Sequence, residues 1–292
     1  MQKIKQCLWF DTQAEEATQF YTSLFKNSKI GKTARYGKSG AHVSGQKEGS
    51  IMTVEFELEG LTIMALNGGP IFKFTPALSF FVWCDDEKEI NELWQKLSEG
   101  GEVRMGLDKY PFAQKYGFTS DKYGVNWQLI LKSNSQKIAP SFLFVNQLFG
   151  KGEEAIHFYM SLFKNSKIDF ITRDESTRSV MHSIFSLDGQ NFVLMEGQGN
   201  HNFTFNNAFS LVITCETQQE IDHYWLKLSE GGKPEQCGWL TDKYGVSWQI
   251  VPTIIGDLAA TSDSNKSERV MKVLLEMQKI DIKTLEQAAK GK

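Results

Sequence analysis

Few side chains in this sequence are placed to do chemistry together. Among the acids, Glu196 stands out because it follows the apolar run 192–195 and precedes a glycine. A partly buried carboxylate at such a strand end is a candidate general acid or base, and a solvated strand end is the alternative interpretation. The five histidines have no partner at ligand spacing, and His42 is predicted to lie in a Gly/Ser-rich loop. The cysteines contain no C-x-x-C pair, and Cys84 and Cys215, each ending an apolar run, are predicted to be small buried hydrophobes.

The sequence segments that would position such groups occur twice in the chain. Residues 14–30 return as 152–168 with four changes in 17 positions, 96–101 return unchanged as 227–232, and 121–128 return as 242–249 with one change. The distance between copies falls from 138 to 131 to 121 residues, so loops of the second copy are shorter. This period is far longer than that of a solenoid. Each copy is therefore predicted to be a whole domain, at 1–134 and 139–256, joined by a polar linker over 133–140.

Each copy runs twice through the same succession of elements. The first copy predicts strands at 4–10, 29–36, 50–58, 61–66, 77–84 and 126–131, and helices over 13–25 and over the segment that ends at 100–101. The second predicts strands at 142–145, 167–172, 180–187, 191–196, 208–215 and 247–251, and helices at 153–163 and 219–230. The fold class is thus α+β, with two βαβββ modules per copy. Their strands would form an open curved sheet whose alternate side chains line a cleft.

The copies differ where that cleft would lie. Asn67 and Glu196 occupy equivalent strand ends, 110–112 has no counterpart in copy two, and the segment ending at Trp239 occurs in copy two only. Loop aromatics cluster nearby, at 72, 74, 110, 112, 116 and 118 in copy one and at 203, 205 and 239 in copy two. An apolar cleft with a few amides suits a flat or hydrophobic small molecule, although core packing explains most of these aromatics as well. The two clefts are therefore predicted to differ, with at most one functional.

Three motifs resemble a known family. They are F-D-x-x-A-E-E-A-x-x-F-Y-x-S-L-F, E-F-E-L-x-G-x-x-x-x-A-L-N-G-G and D-K-Y-G-V-x-W-Q. They are similar to the PhnB-like branch of the vicinal oxygen chelate superfamily (glyoxalase, bleomycin resistance, extradiol dioxygenase), whose members are often labelled 3-demethylubiquinone-9 3-methyltransferase-like. The resemblance covers both copies. It implies tandem glyoxalase-like domains and a cleft that binds a divalent metal in many relatives.

The resemblance places the metal ligands of such relatives on the first strand, on the strand opening the second module and on the last strand. The last position, typically Glu, is Gln128 in one copy and Gln249 in the other, and a neutral amide brings no charge to offset dehydration of a cation. The first-strand positions fall near Gln6 and Ser141, and the second-module positions near 77–78 and 208–209. We therefore expect no cofactor, with a divalent metal as the open alternative, and keep both glutamines as cleft residues beside Asn67.

The methyltransferase label is not expected to describe the activity. A common S-adenosylmethionine site needs a Gly-rich turn after a first parallel strand, and the Gly-rich pieces 67–70 and 196–199 lie in hairpins instead.

Composition excludes other classes of protein. The 292 residues carry a net charge of −3, which does not fit a nucleic-acid binder, and no apolar run is long enough to cross a membrane. Without a secretory leader, the expected location is cytoplasmic. The tail, 262–292, predicts two helices at 268–279 and 282–290, which pack on a domain surface or form a dimer contact.

Three functions are left open. The first is binding of a small, partly apolar molecule in a β-sheet cleft without a catalytic metal. The second is a metal-dependent lyase, isomerase or dioxygenase-type enzyme of the same superfamily, using Glu196 or an unrecognised metal. The third is an interaction module whose tandem copies form a pseudo-dimer within the chain and mimic the homodimer of single-domain relatives; a homodimer of whole chains is also open.

Overall fold

A computed structural model describes residues 2–256 and 263–292. The first copy contains β1 (Ile4–Phe10), α1 (Ala14–Leu24), β2 (Ser28–Arg35), α2 (Lys38–Ser44), β3 (Ile51–Leu58), β4 (Leu61–Asn67), β5 (Leu78–Cys84), α3 (Glu87–Ser98), β6 (Glu102–Tyr110), β7 (Ala113–Ser120) and β8 (Asn126–Leu131). The second contains β9 (Ile138–Val145), α4 (Gly152–Leu162), β10 (Lys167–Arg173), β11 (Val180–Leu187), β12 (Gln190–Gly197), β13 (Phe209–Cys215), α5 (Gln218–Ser229), β14 (Lys233–Pro234), β15 (Trp239–Thr241) and β16 (Ser247–Pro252). The tail forms α6 (Ser264–Glu276) and α7 (Ile282–Ala289).

Most boundaries lie where the hydrophobic patterns predict them, and two expectations about single elements were wrong. His42 lies on helix α2 rather than in a loop, because Gly40 and Ala41 pack against the protein and make the segment amphipathic. Strand β9 begins at Ile138, inside the predicted linker, and pairs with β5. Ser262, the first residue of the predicted tail, lies outside the described residues.

The strands form two eight-stranded sheets, and each sheet takes one βαβββ module from each copy. Sheet 1 has the order β14-β15-β16-β13-β1-β4-β3-β2, and sheet 2 has the order β10-β11-β12-β9-β5-β8-β7-β6. The seams are antiparallel, between β1 and β13 in sheet 1 and between β9 and β5 in sheet 2. The two copies therefore form a pseudo-dimer within one chain. The expectation that the two modules of one copy share a sheet was wrong, because β1 pairs with β13 and β5 with β9, so neither copy completes a sheet alone.

The helix-bearing faces of the two sheets share one hydrophobic core. Phe80 of β5 and Phe209 of β13 meet there with ring centroids 5.0 Å apart, and Tyr21 of α1 lies 5.3 Å from Trp127 of β8. Trp127 and Trp248 are fully buried in this core, as the alternation of the last strands predicts. The opposite, open face of each sheet points away from the core.

The duplicated D-K-Y-G-V-x-W-Q motif holds each last strand in place. The Asp121 carboxylate accepts hydrogen bonds from the Tyr21 hydroxyl and the Trp127 indole, both at 2.8 Å, and from the backbone amides of Tyr123 and Val125. Burial raises the pKa of Asp121 to about 6, and these hydrogen bonds oppose that rise. The repeated tyrosine, aspartate and tryptophan are thus part of the fold.

Asp242 makes the corresponding contacts in the second copy. Its carboxylate accepts from Tyr159, Trp248 and two backbone amides, and burial likewise raises its pKa to about 6. The same network therefore anchors Gln128 and Gln249, one residue beyond each tryptophan, at the same place in the two sheets.

The C-terminal helices pack as a hairpin against both copies. The amides of Cys237 and Gly238 donate to the carbonyls of Met277 and Gln278 at 2.7 and 2.8 Å, and Glu268 of α6 accepts from the Ser39 amide at 2.8 Å. The tail is a wall of the domain pair, in line with the first of its two predicted roles. No helix in the described ranges is long and apolar enough to cross a membrane.

Candidate binding site

A cavity of about 990 Å³ lies on the open face of sheet 1. Its floor is formed by alternate residues of the central strands, its walls by α2, the loop around Phe72 and the 206–207 segment, and its far side by the C-terminal hairpin. Gln249 and Trp239, two of the predicted cleft residues, line it. The floor and wall side chains on which the site depends are Lys5, Trp9, Glu55, Met64, Val212 and Met271.

Two tryptophans form one end of the cavity. The Trp9 and Trp239 rings meet edge to face with centroids 6.0 Å apart, and Trp9 contacts Phe72 at 5.1 Å in the same way. The Trp9 indole donates to the Gly69 carbonyl at 2.8 Å, and a Cβ on Gly68 would lie 2.2 Å from the Trp9 ring. The A-L-N-G-G motif therefore positions Trp9, because only glycine leaves room for its ring.

On the open face of each sheet, a residue of the first strand, a residue of the second-module strand and the last-strand glutamine lie close together. In sheet 1 they are Cys7, Ser210 and Gln249, whose Nε2 donates to the Ser210 hydroxyl at 2.9 Å. Gln6, the predicted first-strand position, points into the core, where neither side-chain polar atom has a partner in the described part of the chain. The sequence missed this because Gln6 is polar and so resembled an open-face residue, whereas its neighbours Lys5 and Cys7 lie on that face.

In sheet 2 the same positions hold Ser79, Ser141 and Gln128, and these are satisfied internally. Gln128 accepts from the Tyr116 hydroxyl at 2.6 Å and donates to Ser79 and Ser141 at 2.9 and 3.3 Å. Ser141, a predicted first-strand position, lies beside Gln128, and the second-module strands bring Ser79 and Ser210, next to the predicted 77–78 and 208–209, beside the two glutamines. Gln128 does not line the cavity, since it lies on the other sheet.

These residues do not fit a divalent cation. The sets consist of a thiol or hydroxyl, a hydroxyl and a neutral amide, and none carries a carboxylate or imidazole. Burial raises the pKa of the Cys7 thiol to about 11, so the thiolate that would bind a metal is disfavoured. Within the described residues no group of three His, Cys, Asp or Glu side chains could hold a metal ion.

The open face of sheet 2 is filled by its own side chains. Phe81, Trp83, Tyr116, Phe118 and Val193 are all buried there in one cluster. From the strand registers, Val212 and Thr214 of sheet 1 occupy the places of Phe81 and Trp83. Two smaller side chains on one central strand thus leave a hollow where sheet 2 has two aromatic rings.

The hairpin next to the last strand also differs. In sheet 2 the long β6–β7 hairpin presents Tyr116 to Gln128. In sheet 1 the short β15 strand begins only at Trp239, and Cys237, which corresponds to Tyr116 when the residues are counted back from the last strand, lies before it with a φ of 60°. Gln249 therefore lacks the tyrosine that Gln128 has, and no donor among the described residues reaches its Oε1. The free carbonyl oxygen belongs to a side chain that is 5 % exposed and lines the cavity.

A charged pair distinguishes the floor of the cavity. Lys5 Nζ lies 2.6 Å from Glu55 Oε2, and the equivalent places in sheet 2 hold Ala139 and Ile184. Neither residue was predicted from the sequence, and Val212 and Thr214 were not predicted either. An alignment of the copies contains the signal, because S-F-F-V-W-C of copy one stands opposite S-L-V-I-T-C of copy two.

Asn67 and Glu196 are equivalent, as predicted, and both cap a helix from a neighbouring strand. Asn67 Oδ1 accepts from the Ala14 amide at 2.8 Å, and Glu196 Oε1 accepts from the Gly152 and Gly150 amides at 2.9 and 2.6 Å. Glu196 Oε2 accepts from the Val180 amide. With both oxygens bound by backbone amides and no place in the cavity wall, Glu196 is held as a helix cap, and this geometry does not favour its predicted catalytic role.

The fold and the open-face site define a class before any family comparison. Paired βαβββ modules that share an eight-stranded sheet and leave one face open are the architecture of the vicinal oxygen chelate superfamily. Glyoxalase I from Zea mays has this fold: it shares 12 % identity, with a TM-score of 0.58, over 89 % of this chain and 97 % of that one.

The chain belongs to the family described as 3-demethylubiquinone-9 3-methyltransferase, whose model matches residues 2–130 and 136–251. A putative 3-demethylubiquinone-9 3-methyltransferase, PhnB protein, from Bacillus cereus is 43 % identical over 45 % of this chain and 100 % of that one, with a TM-score of 0.42. A Staphylococcus aureus protein is 32 % identical over 46 % of this chain and 98 % of that one, with a TM-score of 0.19. Among curated proteins no similar sequence is found.

Proposed function

We propose that this protein binds a small, partly apolar molecule in the cavity of sheet 1, without a catalytic metal. The observation that supports this most is the contrast between the sheets, since one open face is packed with aromatic rings and its counterpart encloses about 990 Å³. Ligand pockets for small molecules have volumes of about 300–1,000 Å³ and apolar walls with a few polar groups. The cavity has that character.

The walls of this cavity all come from one chain. Strands of both copies form the floor, and the C-terminal hairpin completes the far side. A homodimer of whole chains is therefore not needed to complete the site. The ordinary composition and four unpaired cysteines fit the proposed cytoplasmic location, where thiols stay reduced.

The test is to fill the cavity with the side chains that the protein itself uses on the other sheet. The double variant Val212→Phe/Thr214→Trp is expected to abolish binding of the fluorescent probe anilinonaphthalene sulfonate, measured by titration. Leu226→Trp, at an exposed position of α5, is the matched control and is expected to bind as the parent does. Equal binding by the filled variant would refute the proposal. If the filled variant loses binding as expected, native mass spectrometry of protein purified from cell extract is the way to identify the natural ligand.

A further inference from the structure

The floor of the cavity indicates the chemical class of its ligand. Resting on the proposed function, we propose that the ligand is an amphipathic organic anion. Its flat apolar body lies across the strands of sheet 1, a hydrogen-bond donor on it meets Gln249, and its negative group meets Lys5. On sheet 2, Ala139 stands in the place of Lys5, and the side-chain oxygen of Gln128 already accepts a hydrogen bond from Tyr116.

The strand registers place the contact groups in one row. Trp239 pairs with Gln249, Gln249 with Val212, and Val212 with Lys5, across β15, β16, β13 and β1. Neighbouring strands are about 4.8 Å apart, so the row spans roughly 14 Å from the aromatic end to the ammonium group's strand. A ligand that lies along this row contacts an aromatic side chain, an amide, an apolar side chain and a charge in that order.

Gln249 offers a hydrogen-bond acceptor to the ligand. Its Nε2 is occupied by the Ser210 hydroxyl at 2.9 Å, which leaves Oε1 as the group available to the cavity. This oxygen belongs to a residue that lines the cavity, and an N–H or O–H of a bound molecule would give it a hydrogen-bond partner. In sheet 2 the Tyr116 hydroxyl fills the same role for Gln128.

Lys5 favours a negative group because it is the deeper member of its ion pair. Its side chain is 20 % exposed, whereas that of Glu55 is 36 % exposed. An incoming anion can displace Glu55, whose carboxylate returns to water at little cost, while the Lys5 ammonium keeps a partner. A cationic ligand would instead have to move the more enclosed Lys5 away from its partner. Glu55 is therefore a displaceable internal counter-ion.

The pair is not required by the architecture of the sheet. Ala139 and Ile184 occupy the corresponding places in sheet 2, where the strands pair in the same manner without any charge. A half-buried ion pair contributes little to stability on average. Its presence on the hollow face alone is consistent with a role in binding.

Two matched probes test the charge. Anilinonaphthalene sulfonate and N-phenylnaphthylamine share the aromatic body and the N–H donor, and only the first carries a sulfonate. The parent protein is expected to bind the sulfonate probe more tightly by roughly ten-fold, and Lys5→Met is expected to remove that preference, because hydrogen bonds to charged groups are the strong ones. Glu55→Gln is expected to tighten binding of the sulfonate probe by roughly three-fold, since it removes the competing carboxylate.

The exposed pair Lys29–Glu57, 3.0 Å apart and outside the cavity wall, supplies the controls. Lys29→Met and Glu57→Gln are expected to bind both probes as the parent does. A preference that survives in Lys5→Met, or equal binding of the two probes by the parent, would overturn the anion proposal while leaving the cavity as a binding site. The proposed function itself would fail if the parent bound neither probe. It would also fail if the double variant Val212→Phe/Thr214→Trp bound the probes as the parent does.

Discussion

The two sheets start from the same plan and end with opposite open faces. Both carry the same anchored last strand and the same glutamine, and both are built from one module of each copy. Sheet 2 buries Phe81 and Trp83 on its open face, and sheet 1 has Val212 and Thr214 at those places. A few side chains on one central strand therefore determine whether the open face of such a sheet is filled or leaves a cavity.

The cavity on sheet 1 is surrounded by segments that have no equivalent around sheet 2. The edge hairpin of sheet 1 is shorter, as the fall in the distance between copies from 131 to 121 residues shows, and the C-terminal hairpin covers that side instead. Helix α2, on the other side, occurs in the first copy only and contacts α6. On sheet 2 the open face is instead covered by the protein's own aromatic side chains.

The largest expected difference comes from exchanging the central aromatics. Trp83→Thr in sheet 2 is expected to lower the free energy of unfolding by about 3–5 kcal/mol, because it opens a cavity in a packed cluster. Thr214→Trp in sheet 1 is expected to change it by less than about 1 kcal/mol, since its side chain enters existing space. Denaturant unfolding of the two variants measures both values. Equal losses would show that sheet 1 has no room for the ring.

The duplicated aspartates are expected to contribute equally in the two halves. Asp121→Asn and Asp242→Asn each place an amide group against donors that now face a carboxylate, and each should lower the free energy of unfolding by about 2–4 kcal/mol. Asp108→Asn, at an exposed strand position, is the control. A large loss in only one copy would mean that the motif has a separate role there.

The docking of the C-terminal hairpin is expected to depend on Gly238. Its φ is 82°, and an added Cβ would lie 2.6 Å from the Ile250 carbonyl oxygen and 2.8 Å from Ile280 Cδ1. Gly238→Ala should therefore lower the free energy of unfolding by about 1–3 kcal/mol and weaken probe binding in the cavity. Gly189→Ala has a φ of 81° and no atom within 4 Å of the added Cβ, so it measures the cost of backbone strain without a steric contact. Similar results for both would exclude a role of the Gly238 contact.

The smallest expected effect separates two buried glutamines. Gln6→Leu should raise the free energy of unfolding by about 1–2 kcal/mol, because its amide is buried without partners among the described residues. Gln128→Leu should lower it, since that amide has three hydrogen-bond partners in sheet 2. Thermal and denaturant unfolding measure the two signs. A loss in Gln6→Leu would indicate a bound water at that amide.

The repeat and the periodicity predicted the elements well, because apolar spacing within one strand or helix is local information. The pairing of β1 with β13 was not predictable in this way, since it joins residues about two hundred positions apart. The same holds for the cavity. Gln249 was predicted from its place on the last strand and Trp239 from a segment present in copy two only, but the ion pair between Lys5 and Glu55 depends on which strands become neighbours. The helix-capping contacts of Glu196 were not predictable either, because a strand-end carboxylate and a helix cap look alike in sequence.

The division of each sheet between the copies also sets an order of completion during synthesis. All strands of sheet 2 lie within residues 78–197, whereas sheet 1 waits for β13–β16 at 209–252 to reach back to β1. As the chain leaves the ribosome, the packed half has its full set of strands first, and the amino-terminal module stays with an unpaired edge until the end. Sheet 1 and its cavity are therefore expected to form last, against a sheet 2 that already has all of its strands.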